Sequence, residues 1–225
     1  MNILAIDTAT ERCSVAVAID GNITESTADT PRGHADLVLP MIQTLLAEAG
    51  LSLAQLDGIA YGRGPGAFTG VRIAIGVVQG LAFGARLLTA GISNLAAVAQ
   101  QVAKPGDRVL VCMDARMGEV YWGVFECTLN GLVHETRSEE VAAPERVIEQ
   151  MASSPPPSVL AGTGFQAYPQ LAEIATTGET FPVLLPRARD IALLGIHEFE
   201  QGRGLKAADA QPVYLRNQVA AVKRI

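Results

Sequence analysis

The segment with the most chemical promise is the turn Gly62-Arg63-Gly64-Pro65-Gly66-Ala67-Phe68-Thr69-Gly70. Glycines between a strand and a helix admit positive φ and close backbone approach. The helix behind them offers unpaired N–H groups to an anion. One reading is a phosphate-facing loop; the other is a tight crossover with no ligand. Two specific phosphate motifs fail. A Walker A loop ends in Lys followed by Ser or Thr, and this turn has no Lys. The dinucleotide fingerprint is met only loosely by Gly62, Gly64 and Ala67. It also needs an acidic residue about 20 positions on to hold the ribose. No Asp or Glu stands between Asp57 and Asp107, so that reading is rejected.

Asp7-Thr8-Ala9-Thr10 follows the first apolar run. An early Asp at a strand end can hold a metal through water beside a hydroxyl loop that touches phosphate. The same residues equally make an Asx turn. His34, His134 and His197 form neither HxxxH nor HExxH, so helical metal-ligand spacing is absent. Ser14, Ser93 and Ser138 have no GxSxG setting. Arg116 and Glu119 bracket a turn and read as an exposed ion pair. Cys13, Cys112 and Cys127 are far apart without a CxxC pair, which indicates reduced, packed thiols. No catalytic residue, cofactor site or metal ligand is nominated.

The elements that must position these groups belong to a chain of 225 residues, 49% hydrophobic and 18% charged, which excludes disorder. With 17 Lys/Arg against 23 Asp/Glu the net charge is −6, which argues against autonomous nucleic-acid binding. The start lacks a signal peptide, and no uninterrupted apolar stretch is long enough to span a membrane. A cytoplasmic protein is expected.

Residues 2–7, 13–19 and 22–28 read as an antiparallel meander turned by Asp20-Gly21. Residues 34–49 read as an amphipathic helix closed by Gly50. Strands are expected at 57–61 and 87–91. Helices are expected at 71–85, capped by Thr69, and at 93–102. The turn Lys104-Pro105-Gly106-Asp107 marks a domain boundary. Beyond it, 108–115, 120–127 and 159–161 read as strands, with 144–152, 168–175 and 190–200 as helices. The expectation is a first lobe over 1–104, joined by the segment from about 206 to 225, and a second lobe over 105–205. A strand-strand-strand-helix plan shared by both halves is one reading, which the sequences, too dissimilar to show a repeat, do not establish.

The helix after the glycine-rich turn is unusual. Arg72, Gln79 and Arg86 occupy one narrow sector, and Gly76, Gly80 and Gly84 line an edge. Each interior glycine costs roughly 1 kcal/mol relative to Ala. Either the edge packs densely inside the protein, or it lets a partner chain approach. Leu37, Met41 and Leu45 on the first helix, with Ile73, Gly76, Val77 and Gly80 on the second, are the candidate partner interface.

NILAIDTAT at the start, GRGPGAFTGVRIAIGVVQGLAFG in the centre, DARMGEVYWGVF and PVYLR resemble the bacterial TsaB (YeaZ) family over nearly the whole chain. The resemblance implies an α/β, actin/Hsp70-like ATPase fold of two ribonuclease-H-like lobes. It also implies a non-catalytic partner of the TsaD subunit in forming threonylcarbamoyladenosine at position 37 of tRNAs that read codons beginning with A. TsaD holds the metal and transfers the group, and TsaE is an ATPase partner. TsaD carries an HxxxH pair after the strand that follows the glycine-rich helix; residues 91–98 here contain no histidine. Contact with tRNA would come only through the complex, and a homodimer is expected when the chain is alone. The competing hypothesis is a stand-alone phosphotransferase of the sugar-kinase/actin class using Asp7 and the turn 62–70, with Gly162-Thr163-Gly164 as a weak adenosine-binding candidate.

Overall fold

β1 (Asn2–Asp7), β2 (Arg12–Ile19) and β3 (Asn22–Asp29) pair antiparallel, as their β-rich runs predict. Asp20 and Gly21, both at positive φ, make the turn between the second and third. α1 (His34–Glu48) crosses to β4 (Gly58–Gly62), and α2 (Phe68–Ala85) crosses to β5 (Leu88–Ile92). Both of these strands run parallel to their inner neighbour, giving the order β3-β2-β1-β4-β5. The structure, a computed structural model, describes residues 1–174 and 178–216.

After α3 (Asn94–Val102) the plan recurs. β6 (Arg108–Asp114), β7 (Val120–Cys127) and β8 (Val133–Ala142) form a second meander. α4 (Pro144–Ala152), with Pro at its first turn, leads to β9 (Val159–Ala161), parallel to β6. α5 (Gly164–Ala167) precedes β10 (Thr180–Phe181), and α6 (Ala188–Glu200) follows it. The second sheet is ordered β10-β9-β6-β7-β8, the first sheet's order read from the other edge. These are the two ribonuclease-H-like lobes of an actin/Hsp70-like fold.

Strand alternation divides the core into layers. Leu4, Ile6, Val15 and Val17 face outward against α1 and α2. Ile3, Ala5, Ala16, Ala18 and Ala60 face inward. Their small side chains let α6 lie close; a Cβ at Gly195 would stand 2.5 Å from that of Ala60. Val109, Val111 and Phe125 of the second sheet meet the same central layer. Trp122, Leu110 and Val124 face the far side against Val147 and Met151 of α4.

Several expectations need correction. α6, placed with the second lobe, packs on β1, β2, β4 and β5, whereas α3 packs on β6 to β9. The central helices are thus exchanged between lobes. The final segment returns to the first lobe, where Thr89 and Leu205 exchange two backbone bonds of 2.8 Å; residues 217–225 lie outside the described residues. α2 starts at Phe68 rather than Val71, with Ala67 rather than Thr69 at its cap and no side-chain cap bond. Ala67 is held instead by its N–H to the Ala9 carbonyl at 2.7 Å. In place of the helix expected over 168–175 stands a 3₁₀ turn, Pro169–Glu173, preceded by the short α5. Pro169 pushes Tyr168 to φ −133 and ψ 86, out of the helical region; Ala175 is outside the described residues. α2 is the one described helix long and apolar enough to cross a membrane. Its Val71, Ala74, Ile75, Val78 and Ala82 are buried in the outer core of the first lobe.

Candidate functional site

Asp7 ends β1 fully buried. Its Oδ1 accepts from Asn94 Nδ2 at 2.6 Å, while Oδ2 has no partner. Burial is the main influence on the carboxyl and raises it to about 6, against opposing bonds from Asn94 and the Ala9 and Thr8 backbones. Asn94 Oδ1 accepts from Gly64 N at 2.8 Å. One Asp–Asn pair therefore ties the end of β1, the start of α3 and the glycine-rich turn together. His34, buried at the start of α1, bonds the Thr10 carbonyl through Nε2 at 2.7 Å.

The glycines of the turn are filled by neighbouring chain. A Cβ at Gly62 would fall 2.1 Å from Asp7 Oδ1. At Gly66 it would lie 2.5 Å from the Ala9 carbonyl, and at Gly70 2.0 Å from that of Thr8. Close approach of the β1–β2 turn thus accounts for these residues, as the crossover reading requires. In the second lobe, a Cβ at Gly162 would meet the Cys112 carbonyl at 2.5 Å, and Thr163 Oγ1 accepts from Asp114 N at 3.1 Å.

A cleft of about 1400 Å³ opens between the lobes, lined by Thr10, Gly33, Phe68, Arg116, Tyr214 and Arg216 among others. The PVYLR segment runs along it. Phe68 and Tyr214 stack with centroids 5.6 Å apart. Arg72 lies 3.6 Å over the Phe68 ring and donates to the Tyr214 hydroxyl at 2.7 Å. Arg216 donates through Nε to Glu119 at 3.1 Å and reaches the Arg116 carbonyl at 3.4 Å. Arg116 itself pairs with Asp114 at 2.9 Å. The expected Arg116–Glu119 ion pair is therefore replaced by two pairs with other partners.

Among the described residues no cluster of three His, Cys, Asp or Glu could hold a metal. The thiols of Cys13 and Cys112 are buried and raised by that burial, Cys13 to about 11. Ser14 accepts from Ala188 N at 2.9 Å, and Ser93 caps α3 by accepting from Leu95 N and Ala96 N at 3.0 and 3.1 Å. These hydroxyls serve the fold.

On the outer face, Leu37, Met41, Ile73 and Val77 are partly buried at the flank of the α1–α2 core, and Gly76 and Gly80 are exposed. A Cβ at Gly76, Gly80 or Gly84 would meet nothing within 4 Å, so packing inside the subunit does not explain the glycine edge. Leu45, one of the candidate interface residues, lies instead in the core at 4% exposure. Phe83, which sequence patterning does not single out, stands 81% exposed beside the edge. The polar sector of α2 faces the C-terminal segment and anchors it. Arg72 holds Tyr214, and Gln79 Nε2 donates to the Ala210 carbonyl at 2.9 Å.

A tRNA threonylcarbamoyladenosine biosynthesis protein TsaB from Escherichia coli (strain K12) is 46% identical over 226 residues, covering 98% of this chain and 96% of its own length. The chain belongs to the TsaB (YeaZ) family. The protein of the same name from Bacillus subtilis (strain 168) is 27% identical over 100% of this chain and 98% of its own. A family model described as TsaD, tRNA N6-adenosine threonylcarbamoyltransferase, matches residues 21–200. A solved structure, YeaZ from Pseudomonas aeruginosa, superposes with a TM-score of 0.86 at 42% identity, covering 95% of this chain and 99% of its own. A second Pseudomonas aeruginosa structure, described as similar to peptidase YEAZ, gives 0.87 at 43% identity, covering 96% and 99%. The TsaB relatives give the fold its role, the biosynthesis of threonylcarbamoyladenosine in tRNA.

Proposed function

We infer that this chain is a non-catalytic partner of a TsaD subunit in that biosynthesis, acting on adenosine 37 of tRNAs that read codons beginning with A. It works in the cytoplasm with TsaE as ATPase partner, and meets tRNA only through the complex. The observation that carries this reading is the start of α3. TsaD has HxxxH in the corresponding place. Here Ser93 is engaged as the helix cap and Asn94 as the partner of Asp7.

The α1–α2 face supports the partner role. Leu37, Met41, Ile73 and Val77 flank the open edge of Gly76 and Gly80, where a second helix pair can approach closely. TsaD would cover this face in the complex, and a second copy of the chain would cover it when TsaD is absent. Burying it gains about 25 cal/mol per Å² of apolar surface.

A stand-alone phosphotransferase finds no comparable support. Asp7 is sealed from the cleft, and the space beside Gly66 and Gly70 is occupied by the Thr8–Ala9 backbone. The deciding experiment is tRNA modification by the purified chain, alone and with TsaD and TsaE. Modification is expected only with the partners, and ATP titration of the chain alone should show no turnover. Threonylcarbamoylation by this chain by itself would refute the assignment.

A further inference from the structure

We propose that Glu139 is an interlobe latch that fixes the angle between the two lobes. Glu139 belongs to β8, an edge strand of the second sheet. The β7–β8 ladder shifts register twice, between Trp122 and Val124 and between Val124 and Phe125. In the first shift Trp122 faces Glu140 while Val124 faces Arg137, so β8 carries one extra residue there. Such a bulge re-aims side chains. Opposite it stands Gly123, where a Cβ would make ordinary van der Waals contact with Glu139 Cγ at 3.5 Å.

The re-aimed carboxylate crosses the seam. One oxygen accepts from Ser93 Oγ and the other from Arg63 at 3.3 Å. Its side chain is only 5% exposed. Arg63 lies in the turn after β4 of the first lobe, and Ser93 sits at the junction where β5 of the first sheet passes into α3, the helix that packs on the second. Arg63 is itself pinned by two backbone bonds of 2.8 Å, its N–H to the Ile92 carbonyl and its carbonyl to Val213 N. The latch therefore reaches the glycine-rich turn and the C-terminal segment together.

Neither sheet needs this contact to complete its ladder. A buried ion pair gains little net stability over its desolvation cost, and its best-attested use is to fix a register. Glu139 has partners in one arrangement of the lobes and water when they part. An intermediate arrangement leaves a carboxylate buried and unpaired, which is costly. The result is one defined angle, and with it one width of the 1400 Å³ cleft.

The test is electron–electron distance measurement on the full chain. Spin labels go on Thr27→Cys in β3 and Leu129→Cys after β7, diluted with unlabelled protein so that distances within one chain are read. The native cysteines are buried, which directs labelling to the introduced ones. The otherwise unmodified chain should give a single narrow distance. Glu139→Gln and Arg63→Gln should each add a second, longer population, and Arg63→Lys should restore most of the narrow one. Unchanged distributions in both Gln variants would overturn the proposal. So would failure of both to fold, because the pair would then be part of the core's stability. If only Glu139→Gln fails to fold, Arg63→Gln still reads the latch from the other lobe.

Discussion

Asp7 holds one oxygen on Asn94 and leaves the other unpartnered, and burial lifts its carboxyl from 3.8 to about 6. The folded chain then keeps a proton that the unfolded chain has lost across that window. The stability this group contributes is fully present below pH 3.8 and is lost as pH rises through about 6. The difference corresponds to about 3 kcal/mol. Asp7→Asn removes the titration. Denaturant unfolding of both proteins at pH 3.5 and pH 7 should show wild-type stability, relative to the variant, falling by about 3 kcal/mol toward neutral pH. Subtraction removes the other raised carboxyls, Glu139 and Asp190. A difference that stays flat would place the proton elsewhere. The glycines offer a second comparison. Gly70→Ala drives a Cβ to 2.0 Å from the Thr8 carbonyl and should cost about 1–3 kcal/mol. Gly76→Ala meets open space and should stabilise the isolated chain by about 1 kcal/mol. Equal effects in thermal unfolding would contradict the geometry. The turn 62–70 stands out in the sequence by its composition. What fills it does not, because Thr8 and Asn94 lie far away along the chain and nothing local marks them as neighbours.

Among the elements, those with clean periodicity are the legible ones. β1, α1, β7 and α4 agree with the sequence reading to within a residue, because alternation or amphipathic spacing extends over their length. The boundaries that differ are those set by tertiary contact. α2 begins where Ala67 meets the Ala9 carbonyl, a partner that no cap preference encodes. The strand β8 is not legible in the sequence because its exposed edge is written in polar residues and broken by bulges. For α2 the glycine edge makes an element-scale prediction. Gly80→Leu should leave the monomer folded by circular dichroism, since leaving Gly favours a helix and the Cβ has room. It should weaken self-association in analytical ultracentrifugation, and TsaD capture, by a clash worth roughly 1–3 kcal/mol. Association unchanged in both assays would mean that another face carries the partner.

At the scale of the molecule, the two sheets share one strand order although their sequences do not visibly repeat. The order survives because it depends on pattern: a meander, a helix and a parallel return strand. The exchange of α3 and α6 between lobes is not legible, since both are ordinary amphipathic helices and only the third dimension assigns their sheets. The last described segment adds a tie between the lobes. Tyr214 stacks on Phe68 in the first lobe, and Arg216 two residues on grips Glu119 and the Arg116 carbonyl in the second. Removing one anchor should therefore be felt across the cleft. In Tyr214→Ala, Arg72 loses its hydroxyl acceptor and the segment its stacking contact, worth about 0.5–1.5 kcal/mol. Amide hydrogen exchange should quicken over residues 211–216 and also at the β6–β7 turn around Arg116 to Glu119, while the strands β1 and β6 keep their protection. Arg216→Ala should quicken the β6–β7 turn and leave residues 205–210 protected, because Thr89 and Gln79 still hold them. Fast exchange confined to the last residues in both variants would show that the segment lies on the cleft without joining its walls.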